Sequence, residues 1–111
     1  MISRLLPIAA LAFAAVMTFT ATNAQAQWWC GRTNLNAAEE TVCVTPQLGR
    51  LDRRMSRIYN RIRRDFRGAR CVRNMVRTQR VWLRLRNACG FSVPCLRARY
   101  RLRITDLRNT C

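Results

Sequence analysis

The chain has 111 residues and a formal net charge of +16, and all 21 of its basic residues are arginines. It contains no lysine, no histidine and only five acidic residues. Histidine is the commonest general base and the commonest zinc ligand, and an activated nucleophile needs a base beside it. We therefore expect no enzyme active site, and the sequence has no motif for a cofactor or a metal ion.

Residues 1–26 have the pattern of a secretory signal peptide. An arginine near the start precedes an apolar stretch of about 15 residues, and a polar segment then ends with small residues at Ala24 and Ala26. The apolar stretch is shorter than the roughly 20 residues of a membrane-spanning helix. We expect cleavage after Ala26, which leaves one domain, residues 27–111, with a net charge of +15.

The first predicted helix follows an N-terminal arm. Asn36 and Glu39 have the spacing of a capping box, in which each side chain bonds the backbone of the other residue. The helix should run from about Ala37 to Val44. Pro46 ends it, because the residue before a proline is disfavoured in the helical region.

The second predicted helix begins at Pro46 with Thr45 as its N-cap, since proline is well tolerated at the first helical position. Apolar residues then recur every three or four positions from Leu48 to Phe66, and arginines occupy many of the positions between them. Gly68 either separates this helix from the next or only bends one long helix. The sequence leaves both alternatives open.

Two more segments have the helical period. The third helix, Ala69 to Ala88, should end before Gly90, and the fourth should begin with Ser92 as its N-cap and continue through Leu107. Strand signals are weak throughout the chain. The pattern predicts an all-α fold, a small disulfide-stapled helical hairpin bundle of three to four helices.

The six cysteines allow fifteen disulfide pairings, and the predicted helices narrow them. Cys89 and Cys95 flank the turn between the third and fourth helices, so a bond between them would close the hairpin. Cys71 lies 18 residues before Cys89, and Cys111 lies 16 residues after Cys95. At 1.5 Å per residue these separations are about 27 and 24 Å, so Cys71 and Cys111 would meet if the helices are antiparallel.

Cys30 and Cys43 remain, and a bond between them would tie the N-terminal arm to the first helix. The chain has no Cys-x-x-Cys pair, which argues against a thioredoxin-like redox site, and a zinc site would need four converging ligands without histidine. Disulfide frameworks are typical of small domains in oxidising compartments. We expect three structural disulfides and a periplasmic or secreted protein.

The carboxylates are too few to suggest paired-carboxylate chemistry, which needs two groups with separated pKa values. Because 20 arginines surround them in residues 27–111, we expect these carboxylates to form surface ion pairs. They belong to Glu39, Glu40, Asp52, Asp65 and Asp106.

Three blocks of residues lie in a defined order over nearly all of residues 30–107. They consist of Cys30 with Glu39, Cys43, Pro46, Leu48, Leu51, Asp52, Met55 and Tyr59; of Gln79, Trp82, Leu83, Arg86 and Cys89; and of Cys95, Leu96, Tyr100, Arg103, Ile104 and Leu107. In this combination the chain resembles the LprI-like lysozyme-inhibitor family, a group of small secreted bacterial helical domains. The resemblance implies one LprI-like helical domain over residues 27–111.

The family's usual four cysteines would correspond to Cys30, Cys43, Cys89 and Cys95, with the other two as an extra pair. We expect the matching residues to maintain the fold, with Trp82 packed on a facing helix. Arg86 should pair with a carboxylate such as Asp52 or Asp106. The residues given this structural role are Leu51, Asp52, Tyr59, Gln79, Trp82, Arg86, Leu96, Tyr100 and Arg103.

The resemblance also implies a function, the binding and inhibition of lysozyme, which would protect peptidoglycan. Animal lysozymes are strongly cationic, so a domain of net charge +15 would be repelled at long range. At short range, an arginine could still reach the catalytic carboxylates of a lysozyme.

The charge favours a different partner. Arginine makes bidentate contacts with phosphate and carboxylate groups, so this domain suits an anionic envelope surface of lipid, lipopolysaccharide phosphates or acidic glycan. Export makes nucleic acid a poor partner in the cell. A third interpretation is that the arginines only form a solvated face.

Overall fold

The structure is a computed structural model that describes residues 27–111, and the predicted signal peptide over 1–26 lies outside the described residues. Within 27–111 the fold is all-α and contains no strand. A short 3₁₀ helix, Trp28–Gly31, precedes four α-helices: α1 (Ala37–Val44), α2 (Pro46–Asp65), α3 (Arg70–Ala88) and α4 (Val93–Arg108).

The capping box predicted at the start of α1 is present. Asn36 Oδ1 accepts a hydrogen bond from the Glu39 N–H at 2.9 Å, and the Glu39 carboxylate accepts one from the Asn36 N–H at 3.2 Å. Thr45 occupies the N-cap position of α2, but its side chain makes no capping hydrogen bond. The fixed φ of Pro46, rather than a side-chain cap, therefore begins α2.

The helices α2 and α3 are separate, which decides between the two alternatives for Gly68. Gly68 has a φ of +80°, a left-handed conformation that glycine adopts without steric cost, so the chain reverses there. After α3, Gly90 turns the chain with a φ of +57°. The Ser92 hydroxyl then caps α4 by accepting a hydrogen bond from the Cys95 N–H at 3.3 Å.

The fourth helix packs against α2 and α3 and runs parallel to α2. Arg97 donates to Gln47, and about one turn further along both helices Tyr100 donates to Asp52, so the two helices advance together. Because α3 runs the opposite way, the molecule has two distinct ends. We call the end with α1 and the α3–α4 turn the turn end, and the end with the α2–α3 turn and the last turn of α4 the arginine end.

The hydrophobic core lies along α4, and Tyr100 is its largest fully buried side chain. None of the described helices is long and apolar enough to cross a membrane. The buried apolar residues are Ala38, Val42, Leu48, Met55, Met75, Trp82, Leu96, Tyr100, Ile104 and Leu107.

Three disulfides join different elements of the fold. One ties the 3₁₀ helix to α1, one closes the α3–α4 turn, and one joins the start of α3 to the last residue of the chain, with Cα–Cα distances of 5.6 to 5.8 Å. Such a framework indicates an oxidising environment outside the cytoplasm. The pairs are those predicted from the sequence: Cys30–Cys43, Cys89–Cys95 and Cys71–Cys111.

Candidate functional site: the arginine end

A buried hydrogen-bonded chain joins three residues of the proposed structural set. The Tyr100 hydroxyl donates to Asp52 Oδ1 at 2.9 Å, and Arg86 Nη1 donates to the Tyr100 oxygen at 3.5 Å. Burial raises the pKa of Asp52 above its ordinary value, while the Tyr100 hydrogen bond and the Arg86 charge oppose that shift. Since Asp52 is only 4 % exposed, the expectation that it forms a surface ion pair is wrong.

The carboxylate nearest to Arg86 is not one of the two that the sequence suggested. Arg86 Nη2 lies 4.0 Å from Glu39 Oε2, and Asp52 is reached only through an intervening tyrosine hydroxyl. Asp106 acts on a different guanidinium: burial lowers the pKa of Arg103, and the Asp106 charge partly offsets that shift. Arg86 therefore does lie beside a carboxylate, as expected, but that carboxylate belongs to Glu39 and not to Asp52 or Asp106.

The Arg86 side chain also packs between two indole rings. Its guanidinium carbon lies 5.8 Å from the centre of the Trp29 ring and 5.7 Å from that of Trp82. Its Nε and Nη2 donate to Asn87 Oδ1 at 3.1 and 2.9 Å. These contacts with aromatic rings and hydrogen-bond acceptors are enough to explain why the Arg86 guanidinium is buried.

The remaining contacts of the structural set join α3 to α4. The Trp82 and Tyr100 rings meet edge to face with centroids 5.1 Å apart, which confirms their packing on facing helices. The Trp82 indole N–H donates to the Arg99 carbonyl at 3.0 Å. Arg103 Nε donates to Gln79 Oε1 at 2.8 Å, and its Nη2 donates to a backbone carbonyl of α3.

Three further members of the set complete the core. Leu96 is fully buried in the core, and Leu51 and Tyr59 are half-buried and pack against the core. All nine residues of the set therefore lie in the core or pack against it. A ligand site must be sought on the exposed surface.

The exposed sides of α2 and α3 each carry five arginines at intervals of three or four residues, and we call these rows the arginine stripes. The first and last arginine of each row are 14 residues apart in sequence, which is about 21 Å of helix at 1.5 Å per residue. The third helix contains no acidic residue. The stripe residues are Arg50, Arg54, Arg57, Arg61 and Arg64 on α2, and Arg70, Arg73, Arg77, Arg80 and Arg84 on α3.

Few stripe arginines have a carboxylate partner. Among residues 27–111, the arginine–carboxylate contacts within 4.0 Å join Arg32 and Arg86 to Glu39, and Arg64 to Asp65. Nine of the ten stripe arginines therefore have no carboxylate at that distance within the described range. Their charge is available to an external anion.

Three open grooves lie at the arginine end, and arginines line all of them. The α2–α4 groove has a volume of about 420 Å³ and combines an apolar floor with an arginine rim. Its floor consists of Ile58, Ile62, Phe66 and Leu107, and its rim consists of Arg54, Arg57, Arg61 and Arg108. The α3 groove is lined by Arg70, Cys71, Arg73, Asn74, Arg77 and Thr110. The α2–α3 groove is lined by Asn60, Arg63, Arg64, Arg67, Gly68, Val72, Arg73 and Val76.

The turn end has the opposite character. Val44 and Phe91 are 78 % and 71 % exposed, and with Leu35 they line an open apolar depression beside the Cys30–Cys43 disulfide. We call Leu35, Val44 and Phe91 the apolar tip. Helical periodicity could not reveal it, because Val44 ends a helix, Phe91 lies in a turn and Leu35 lies in the arm.

Together these features define a class of protein: a small all-α domain, held by three disulfides, with a basic end and an apolar tip. No protein-family model matches the chain, and no curated protein or solved structure is significantly similar to it. Residues 27–111 contain no cluster of cysteine, aspartate and glutamate that could hold a metal ion.

Proposed function

We propose that this protein is a periplasmic or secreted envelope protein that binds phosphate-rich polyanions through its arginine stripes. The observation that carries the proposal is the set of nine exposed stripe arginines without a carboxylate within 4.0 Å. Each guanidinium offers a planar fork of donors that matches a phosphate group, so the rows can contact several phosphates at once. The natural ligands of such a surface outside the cytoplasm are lipid phosphates and acidic glycans of the envelope.

The physics of the stripes sets the expected binding behaviour. Ions released from a polyanion drive its association with arginines, so affinity falls as salt concentration rises. Exposed charges are largely screened beyond about 8 Å at physiological ionic strength. Each additional phosphate contact makes the fall of affinity with salt concentration steeper. With several contacts made at once, binding through the stripes should be strong at about 50 mM salt and weak at about 200 mM.

The test measures the binding of the mature protein to long-chain polyphosphate at several salt concentrations. A triple variant, Arg73→Gln with Arg77→Gln and Arg80→Gln, should lower the affinity and flatten the slope of log K against log salt by about 0.7 to 0.9 per lost contact. The matched control makes the same charge change outside the stripes: Arg32→Gln with Arg99→Gln and Arg101→Gln. Equal losses in both variants, or binding that ignores salt, would refute the stripe proposal.

A second candidate function is lysozyme inhibition, and the apolar tip is the observation that favours it. Exposed apolar patches commonly mark protein-binding surfaces. The tip lies at the turn end, away from the arginine end, and Glu40 borders it, so repulsion from a cationic lysozyme is weakest there. A turbidity assay of lysozyme with excess mature protein at physiological salt tests this function. Full lysozyme activity in the presence of excess mature protein would refute this second function.

A further inference from the structure

We propose that the α2–α4 groove binds a lipid whose phosphate head is held by the arginine rim and whose acyl chain lies on the apolar floor. This inference rests on the proposed function and specifies one ligand class for the same end of the molecule. In this groove, four guanidinium groups without a carboxylate partner and the largest exposed apolar side chain of the arginine end, Phe66, line one depression. That combination matches an amphiphilic anion.

The floor supplies the apolar half of the site. Phe66 is 45 % exposed at the end of α2, and Ile58 and Ile62 are only half-buried beside it. Leu107 of α4 closes the floor from the other side. An acyl chain on this floor would remove the exposed apolar surface from water, which inorganic phosphate cannot do.

The rim supplies the polar half. Arg54, Arg57 and Arg61 follow one another on α2 at intervals of three and four residues, and Arg108 faces them from α4. None of the four has a carboxylate within 4.0 Å among residues 27–111, and no acidic side chain lines the groove. The phosphate of a lipid would accept bidentate hydrogen bonds there, which an uncharged lipid cannot do.

The neighbouring α3 groove provides an internal comparison. It is larger, with a volume of about 720 Å³, and it also contains three arginines. Its other side chains are Cys71, Asn74 and Thr110, so it lacks an aliphatic or aromatic floor. The α3 groove therefore suits phosphate alone, and the α2–α4 groove is distinguished by its apolar residues rather than by its charge.

The site is tested with dodecyl phosphate, at concentrations where it is monomeric, and with tripolyphosphate and the uncharged dodecyl maltoside as comparison ligands. We expect dodecyl phosphate to bind about tenfold more tightly than either comparison ligand. Binding should shift the methyl NMR signals of Ile58, Ile62 and Leu107 in a saturable way. Shifts confined to the apolar tip, or equal affinity for dodecyl phosphate and tripolyphosphate, would overturn the assignment.

Two variants separate the floor from the rim. Phe66→Ser should weaken dodecyl phosphate binding by about tenfold and leave tripolyphosphate binding unchanged, because it removes apolar surface only. The matched control, Phe91→Ser at the other end of the molecule, should change neither affinity. Arg57→Gln with Arg61→Gln should weaken the binding of both anions.

These outcomes distinguish the groove from the general function. If polyphosphate still binds in a salt-dependent way while dodecyl phosphate gains nothing from its chain, the groove assignment fails and the stripe proposal stands. If neither anion binds, both proposals fail. Unchanged thermal unfolding of Phe66→Ser excludes a loss of fold as the cause of its effect, and the arginine variant tests the rim without altering the floor.

Discussion

The Tyr100 hydroxyl donates a hydrogen bond to the Asp52 carboxylate at 2.9 Å, between residues 48 positions apart in the sequence. This buried contact fixes the parallel register of α2 and α4, and Arg86 extends it to α3. The same register places the last turn of α4 beside the arginine-bearing turns of α2. The α2–α4 groove is therefore a consequence of how the core is aligned.

Removing the Tyr100 hydroxyl should destabilise the fold. In Tyr100→Phe the ring still packs against Trp82, but Asp52 loses the Tyr100 donor and keeps only its interactions with the Trp29 side chain and the nearby arginines; the loss of one buried hydrogen bond to a carboxylate costs about 1 to 3 kcal/mol. Urea unfolding followed by far-UV circular dichroism measures this loss as a lower midpoint at an unchanged slope. A midpoint equal to that of the unmodified protein would show that the hydrogen bond contributes nothing to stability.

The pH dependence of stability should reveal the protonation of Asp52. Burial raises its pKa above the ordinary value of 3.8, so the folded state keeps the proton to a higher pH than the unfolded chain does. The stabilisation from this group is fully present below the unfolded pKa and is lost as the pH rises through the folded pKa.

Asp52→Asn removes this titration while its amide oxygen can still accept from Tyr100. The stability of the unmodified protein relative to the variant should therefore fall as the pH rises from about 3 towards 7, when both are unfolded in urea at each pH. A relative stability that instead grows with pH would indicate a carboxylate held in its charged form, contrary to the raised pKa.

The three disulfides should differ in what they contribute. In the chain-entropy treatment the contribution grows with the closed loop, and Cys71–Cys111 spans 40 residues while Cys89–Cys95 spans 6. Replacing both cysteines by serine should cost about 4 kcal/mol for the long loop and about 2 kcal/mol for the short one. Thermal unfolding ranks the two double variants. A larger loss of stability for the Cys89–Cys95 variant would mean that this bond stabilises the α3–α4 turn by more than the length of its loop predicts.

Thiol labelling provides a separate check on the disulfide framework. The described chain has no free cysteine, so the denatured, non-reduced mature protein should not react with a thiol probe. After reduction it should take up six labels, one for each cysteine. Any labelling before reduction would contradict the three-bond arrangement.

The stability of the fold should fall when Arg86 is replaced by a residue of the same charge. In Arg86→Lys the planar group between Trp29 and Trp82 and its fork of donors are lost, so we expect a loss of about 1 to 3 kcal/mol in unfolding free energy. Arg84→Lys, on the exposed stripe of the same helix, is the control and should change stability by less than about 0.5 kcal/mol. Equal effects in the two variants would show that burial of Arg86 is unimportant.

The helices and their ends could be predicted from the sequence because local rules determine them. The capping box of Asn36 and Glu39, the proline at the start of α2 and the apolar period each act over a few residues. The Cys71–Cys111 pair can be predicted from the helix lengths, since an antiparallel hairpin brings these two residues to the same end of the bundle. A local pattern could not show whether Gly68 bends or breaks the chain, because a glycine permits both.

The partners of buried polar groups could not be predicted in this way. The sequence suggests Asp52 or Asp106 as the carboxylate partner of Arg86, but the nearer carboxylate is that of Glu39, and the Tyr100 hydroxyl lies between Arg86 and Asp52. Such partners depend on where side chains of different helices end in space, within a few tenths of an ångström. The spacing of residues along one helix contains no information at that scale.

By itself, the sequence determined an all-α domain of high positive charge with cysteines placed to staple it, because composition and periodicity are properties of the chain. Only the tertiary structure decided that the arginine-lined grooves open at one end, that the apolar tip lies at the other, and that an apolar floor distinguishes the α2–α4 groove from the α3 groove. The physical reason is that a groove is formed by two helices, and their relative register is set by buried contacts between residues far apart in the chain.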